Sequence, residues 1–481
     1  MESLETFLSL SKCALTTRRI LKERDFYLPN QKLDKILISP LILREGVYKL
    51  LKEFAQEISE IMVDCGSFLV QQGRIEYSEL LKLIPEIYAK IEEARWYVLP
   101  DFIPVSSDDE ISVDKKVNLT IKNALKFTEI YKSSHSFRLI PVVQGYRYEQ
   151  FERCFELYST LPIKRVGFGS FVTSGPSHGI NSMSYSTIER LKNIISLANR
   201  YDLQVHVFGI SSPIQLLLCG LFGITSVDSS AWNRIAGYGL IYLPFLRSFY
   251  VSAQGRKSTL FDIKKLKKIC DSGWPDFVFI SEQPIVKSMY VRSLHNWTVL
   301  RYMSNRISAP KNQDKIYIKK YSPRNFLLLE YALNCIKKST IIRKATKSDT
   351  SAIMALAKAH IWELGYIRRT EIEEAIKRNH VIVAEALDKV VGFQEFRHLK
   401  RKPQTTLYHK AVSQRFRRFG IGTNLVDFVV DEAISLGQKK LIVKCAQGLE
   451  ANKFHLKYGF KLKRIEEGKQ RPINVYEMNL Y

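Results

Sequence analysis

The sequence predicts an α/β protein in two parts, a closed parallel (β/α)8 barrel over residues 1–338 and a smaller α+β domain over residues 339–481. Three observations carry this. Over residues 53–232 a short apolar run rich in β-formers, a polar turn with Gly, Ser or Asp, and a segment of helical periodicity recur in that order. Six such units, with further chain on both sides, favour a closed eight-stranded barrel over a doubly wound sheet. Near Ser339 the order of elements changes, and the remaining 140-odd residues suffice for a second, independently folding unit.

The expected strands of the first part are 61–63, 96–99, 139–143, 165–168, 204–208 and 225–227, with helical stretches such as 185–199 between them. The polar, Pro-containing segment SAPKNQDK (308–315) and a helical run at 326–337 lead to the boundary. Beyond it the pattern predicts a strand at 340–343, helices at 349–360 and 369–378, and strands at 381–386, 390–396 and 407–412. A helix from Gly422, a strand at 440–445 and a helix from Glu450 follow. No repeat of fixed period is present.

Composition narrows the class. With 46% hydrophobic and 11% aromatic residues the chain is neither disordered nor fibrous. Its formal net charge of +25 points to a polyanionic partner, nucleic acid before a membrane surface. The seven cysteines lie far apart with no CxxC pair, which fits a reducing cytoplasm and excludes a compact disulfide scaffold. The most apolar stretch, PIQLLLCGLFGITSV (213–227), is shorter than the roughly 18 residues of a membrane span and is broken by two glycines. The acidic opening MESLE has no basic flank before an apolar core, so no secretory signal and no membrane insertion are expected.

In a barrel of this type the chemistry sits at the strand ends. Those ends carry Asp64 (VDCGSF), Asp101 (LPDF), Gln144 (VVQG), Gly167 and Gly169 (VGFG), His206 and Gly209 (HVFG) and Asp228 (VDSSAW). A single Asp after a strand is ordinarily a helix cap or turn residue. Three acids and an amide at successive ends, with glycines that open space, instead predict a site.

The ordered series DxGxF, PD, VVQG, GxG, HxFG and VDSSAWNR, across residues 61–296, resembles the guanine transglycosylases, TIM-like barrel enzymes that exchange guanine within a nucleic acid for a 7-deazaguanine. The VDSSAW and HVFG forms are more similar to the DNA-acting branch than to the tRNA enzymes. The resemblance implies Asp228 as the nucleophile that traps the sugar and Asp64 as general acid/base. It implies Asp101, Gln144, Gly169 and His206 as substrate-binding residues at the base, and Arg234 on the backbone of the nucleic acid. Overall retention through an Asp–sugar ester suits this residue set. Reaching a base inside duplex DNA also implies flipping, an electropositive track and DNA-opening helper proteins. Candidate tracks are Arg256, Lys257, Lys264, Lys265, Lys267 and Lys268, and Lys315, Lys319, Lys320 and Arg324 interleaved with Tyr317 and Tyr321. The tRNA enzymes hold a structural zinc with CxCxxC and a histidine. Here His295 is retained but only Cys270 stands upstream, so no metal is expected unless Asp271 or another ligand completes a residual site at Cys270 and His295.

In the second part, SQRFRRFGIGTNL (413–425) follows a strand and opens a helix. Glycines there let backbone amides approach an anion at the helix N-terminus. Together with NKFHLKYGF (452–460), this segment resembles the GNAT acetyltransferases from Thr340 to the end of the chain. The resemblance implies acetyl-CoA as cofactor, its pyrophosphate held around Arg417, Arg418, Phe419, Gly420, Ile421, Gly422 and Thr423, and its arm contacted by Asn452. Where many members carry a Tyr that protonates the leaving thiolate, this chain has His455, a candidate general acid near neutral pH. Glu395 is a candidate base.

The joint expectation is a cytoplasmic enzyme that replaces guanine in DNA with a 7-deazaguanine and acetylates an amine, with the fusion implying that the inserted base or its precursor is acetylated. One alternative is the same exchange on tRNA. Another is an acetyltransferase whose barrel only binds nucleic acid.

Overall fold

The computed structural model describes residues 4–10, 14–89, 91, 94–131, 138–169, 183–210, 212–252, 283–306, 308–399, 401–468 and 471–480. The chain forms two compact units, Glu2–Ala332 and Leu333–Tyr481.

In the first unit nine short strands make one sheet: β1 (Glu5–Ser9), β2 (Lys35–Ile38), β3 (Glu60–Val63), β4 (Trp96–Val98), β5 (Leu139–Ile140), β6 (Val142–Val143), β7 (Arg165–Phe168), β8 (Gln204–Val207) and β9 (Ser226–Ser229). Their order is β5-β4-β3-β2-β1-β9-β8-β7-β6, and every pairing is parallel. The two ends of that order, β5 and β6, are consecutive in the chain and flank Pro141, so the sheet is a nearly closed barrel. Pro141 has no N–H to give the β4 side, but its carbonyl still accepts the Gly167 amide at 2.8 Å. Strand interiors such as Phe7, Ile36, Met62, Val143, Val166 and Val227 are buried, as parallel strands covered by helices require.

Helices alternate with the strands, including Glu110–Ile130, Tyr185–Arg200 and Pro213–Phe222. The last is buried along its whole length, which explains the apolar run at 213–227 without a membrane. No helix among the described residues is long and apolar enough to cross a bilayer. The six expected strands are all present. The first two, β1 and β2, lie in sequence ahead of the recurring pattern. Their charged residues Glu5 and Lys35 pair at 3.2 Å at the strand starts. Glu5 also meets Arg165 at 3.0 Å, and the Arg165 guanidinium lies 4.1 Å over the Trp96 ring. A short hairpin, β10 (Leu240–Ile241) and β11 (Phe249–Tyr250), follows the barrel.

The second unit is a seven-stranded sheet of β12 (Ile341–Lys344), β13 (Val381–Ala386), β14 (Lys389–Leu399), β15 (Gln404–Val412), β16 (Lys440–Ala446), β17 (Lys461–Glu466) and β18 (Ile473–Asn479), in the order β12-β13-β14-β15-β16-β18-β17. Only β15 and β16 run parallel, and they pair only from Gln404↔Lys440 to Leu407↔Val443. Beyond that point β15 stays with β14 and β16 with β18, so the sheet opens into a wedge. One face packs on helices Thr350–Ala359 and Arg369–Lys377 around Ile353, Ile372, Val383, Phe393 and Ala411. The charge-rich β17 (KLKRIE) escapes an apolar-run reading because it is almost entirely exposed, and β18 (INVYEMN) escapes it because polar residues interrupt its apolar ones.

Candidate active sites

Parallel strands end at the same rim, so the residues that close them form a belt. Asp228, in β9, receives the Gly209 amide on Oδ1 at 2.8 Å and the Ser9 hydroxyl on Oδ2 at 3.0 Å. Gly209 turns that amide inward at φ +67°. Following β3, Asp64 accepts the Ser39 hydroxyl at 2.7 Å. Next round the rim, Asp101 accepts from the Gln144 amide and its own N–H donates to Ser67 Oγ at 3.0 Å. The belt therefore runs Asp228, Ser9, Ser39, Asp64, Asp101, Gln144 along β9, β1, β2, β3, β4 and β6. Asp228, Asp101 and Gln144 are each less than a tenth exposed.

Burial, with the negative charge of Asp228 nearby, raises the Asp64 carboxyl above its ordinary range. Burial likewise lifts Asp101 to about 6, with Asp64 adding to the rise. Asp228 has a donor on each of its two oxygens, while burial favours the protonated form of Asp64.

His206 does not line the rim as a base contact. It is fully buried, its Nε2 lies 3.5 Å from Asp228 Oδ1, its Nδ1 is 2.8 Å from Ser226 Oγ, and its ring sits against Phe7 and Phe208. Burial favours the neutral ring, and the Nε2 that faces Asp228 makes no hydrogen bond among the described residues. Gly167 is needed to seat that packing, since a Cβ there would fall 2.4 Å from Phe208. Gly169 closes β7 at the rim. Arg234 is exposed on the helix Ala231–Gly237 that leaves β9, whereas Trp232 is buried beside Trp297.

Of the basic tracks, residues 256–268 lie outside the described residues, as do Cys270 and Asp271. On the helix Asn312–Tyr321, Lys315 is engaged by Glu330 at 2.8 Å, while Lys319 and Lys320 are exposed on the helix that carries the stacked Tyr317 and Tyr321 rings, and Arg324 is exposed on the helix Pro323–Lys338 that follows. His295 is buried and gives its Nε2–H to the Tyr242 carbonyl at 2.9 Å, and burial holds it neutral, down to about 4. No cluster of three metal-ligating side chains occurs among the described residues.

In the second unit, Gly420 caps the helix Ile421–Ser435 at φ +83°, with no atom within 4 Å of where a Cβ would stand. The Thr423 and Asn424 amides return to the Gly420 carbonyl at 2.9 and 3.0 Å. Ile421 and Gly422 lie in the first turn, where no helical carbonyl precedes them, a geometry suited to an anion. Phe419 and Ile421 are buried and anchor the turn, while Arg418 takes a left-handed backbone at φ +70°. Arg417 is turned to His360 and Glu363, 3.3 and 3.6 Å away.

Two expectations need correcting here. Asn452 is saturated by protein partners: its amide donates to the Ala446 and Leu449 carbonyls, and its oxygen accepts from Asn474 and Tyr476. It ties the helix Ala451–Tyr458 to β16 and β18 rather than offering a free amide to a ligand. His455 is buried among Phe454, Phe460 and Tyr476. Burial holds it neutral, down to about 3, so it carries no proton to a thiolate near neutral pH. Two groups that the sequence pattern does not single out stand nearby. His409 Nδ1 lies 2.8 Å from the buried Glu395, a His–carboxylate pair at the bulge of β14. Lys410 lies next along β15, in its open half.

Residues 350–481 match the family model for the acetyltransferase (GNAT) domain. Among solved structures, the chain is similar to Ard1 from Thermoplasma volcanium, at 20% identity over 29% of this chain and 97% of that one, with a TM-score of 0.28. It is similar to an N-acetyltransferase from Staphylococcus aureus Mu50, at 24% identity over 30% and 99%, TM-score 0.26. It is also similar to yncA from Salmonella typhimurium, solved with acetyl-CoA, at 17% identity over 30% and 95%, TM-score 0.27. No curated protein matches the chain.

Proposed function

We propose, from the premise that residues 350–481 are a GNAT acetyltransferase domain, that this chain joins an acetyl-CoA-dependent N-acetyltransferase to a TIM-type barrel that exchanges a purine in DNA for a 7-deazaguanine. Acetyl-CoA supplies an acetyl thioester. The turn from Arg418 to Gly422 fits its pyrophosphate because Gly420 leaves the approach open and the helix N-terminus offers amides. His409, backed by buried Glu395, is placed to take a proton from the acceptor amine.

The observation that supports the barrel reading is the belt itself, a doubly hydrogen-bonded Asp228 near Asp64, which in turn neighbours Asp101, two carboxyls whose burial favours their protonated forms. Asp228 attacks the anomeric carbon as the purine leaves, Asp64 gives that purine a proton, and the same two groups reverse their roles for the incoming base. Asp101 and Gln144 read the purine edge, one as acceptor and one through its amide. Arg234, Lys319, Lys320 and Arg324 meet phosphates.

Nucleoside analysis of DNA and tRNA from cells expressing the full chain tests this. The expected result is a deazaguanine nucleoside in DNA, lost in Asp228→Asn. Its appearance in tRNA alone moves the reading to the tRNA reaction, and its absence from both, with no covalent adduct on Asp228, overturns the exchange.

A further inference from the structure

The wedge between β15 and β16 contains an amine that the reaction just described leaves unused. Lys410 extends from the open half of β15 with its Nζ 3.5 Å from the centroid of the Phe454 ring. That Nζ is buried, and among the described residues it has no hydrogen-bond partner and no carboxylate. A buried ammonium without a counter-ion is costly, and among the described residues it is met by the Phe454 face, the Cys445 thiol and the His455 ring, which burial keeps uncharged. Burial accordingly pushes the group down to about 7, so a large share is the free amine near neutral pH. Phe454 also stands 3.5 Å from where a Gly422 Cβ would be, which puts this aromatic ring between Lys410 and the glycine turn.

We propose that Lys410 is an acetyl acceptor in its own chain, modified by acetyl-CoA held in the wedge; this rests on the acetyltransferase reading above. The unprotonated Nζ gives its lone pair to the thioester carbonyl carbon. The C–S bond breaks with its electrons going to sulfur, and the surplus proton on nitrogen moves to that sulfur. The products are an Nε-acetyl amide at Lys410 and the free thiol of CoA. Because an amide is far less reactive than a thioester, the mark is an end product and not a carrier. It removes the only charge on this side chain and adds an acetyl group where the cofactor arm would run, so it limits further turnover of the domain.

The test uses the full chain, incubated with acetyl-CoA and digested for peptide mass spectrometry, alongside calorimetric binding of CoA to the same preparation. The expected result is one acetyl group at Lys410, gained at least tenfold faster than at exposed lysines, absent from Lys410→Arg and slowed at least tenfold in Gly422→Asp. CoA binding with Lys410 unmodified overturns the inference and leaves the acetyltransferase reading intact. Acetylation spread evenly over exposed lysines, unchanged by Gly422→Asp, also overturns it. If CoA does not bind the folded chain, both fall.

Discussion

Asp101 shows how one side chain couples chemistry to stability. Burial raises its carboxyl to about 6 in the folded state, against about 4 unfolded. Between those values the folded chain binds more protons than the unfolded one, so stability falls as pH rises through that window and levels off above it. Replacing Asp101 by Asn keeps the shape and an acceptor for Gln144 but removes the titration. The variant should exceed the native chain in stability above about pH 6, by up to roughly 3 kcal/mol, with the gap closing towards about pH 4. Urea unfolding across that range measures it, and a gap that widens on acidification would contradict the assignment. At the same scale, Ser9→Ala removes one of the two donors on Asp228, which should slow exchange while leaving nucleic-acid binding unchanged in a filter-binding assay.

Among elements, the turn before the helix Ile421–Ser435 separates conformational from chemical demands. Gly420→Ala meets no atom, so its cost is the left-handed backbone alone, about 1 kcal/mol by chemical denaturation. Gly422→Asp places a carboxylate at a helix N-terminus, which tolerates it structurally. The same charge repels a pyrophosphate, so CoA affinity should fall at least tenfold by calorimetry while helix content is kept. This turn was legible in advance because its signal is local, two glycines between a strand and a helix. The wedge was not, because it arises from where the pairing of β15 with β16 stops, and that pairing joins distant stretches of chain such as Gln404 and Lys440. Strands β5 and β6 read as a single run, and only the missing N–H of Pro141 divides it.

For the whole molecule, the proposed function together with the +25 formal charge makes the expected association with nucleic acid an ionic one. Raising salt from about 50 to about 200 mM should weaken DNA binding by the full chain at least a hundredfold. Replacing Lys319, Lys320 and Arg324 by Ala should flatten the salt slope by about one unit for each phosphate no longer neutralised. Asp228→Asn should change neither value, because it removes only the proposed nucleophile and leaves Lys319, Lys320 and Arg324 in place. A salt-independent affinity would argue against a polyanionic partner.

Local pattern alone was enough for the six recurring strands, the acids at their ends and the glycine turn, since each is written in neighbouring residues and a period of two or 3.6. Folding in three dimensions decided the partners of each side chain. It brought Ser9 and Ser39, from the two strands ahead of the recurring pattern, beside Asp228 and Asp64, and buried His206, expected at the substrate base, 3.5 Å from Asp228. It also withdrew His455 from proton transfer and left the Lys410 amine without a hydrogen-bond partner among the described residues. The reason is that protonation and reach depend on burial and on side chains far away in the chain, and these exist only once the sheet has chosen its neighbours.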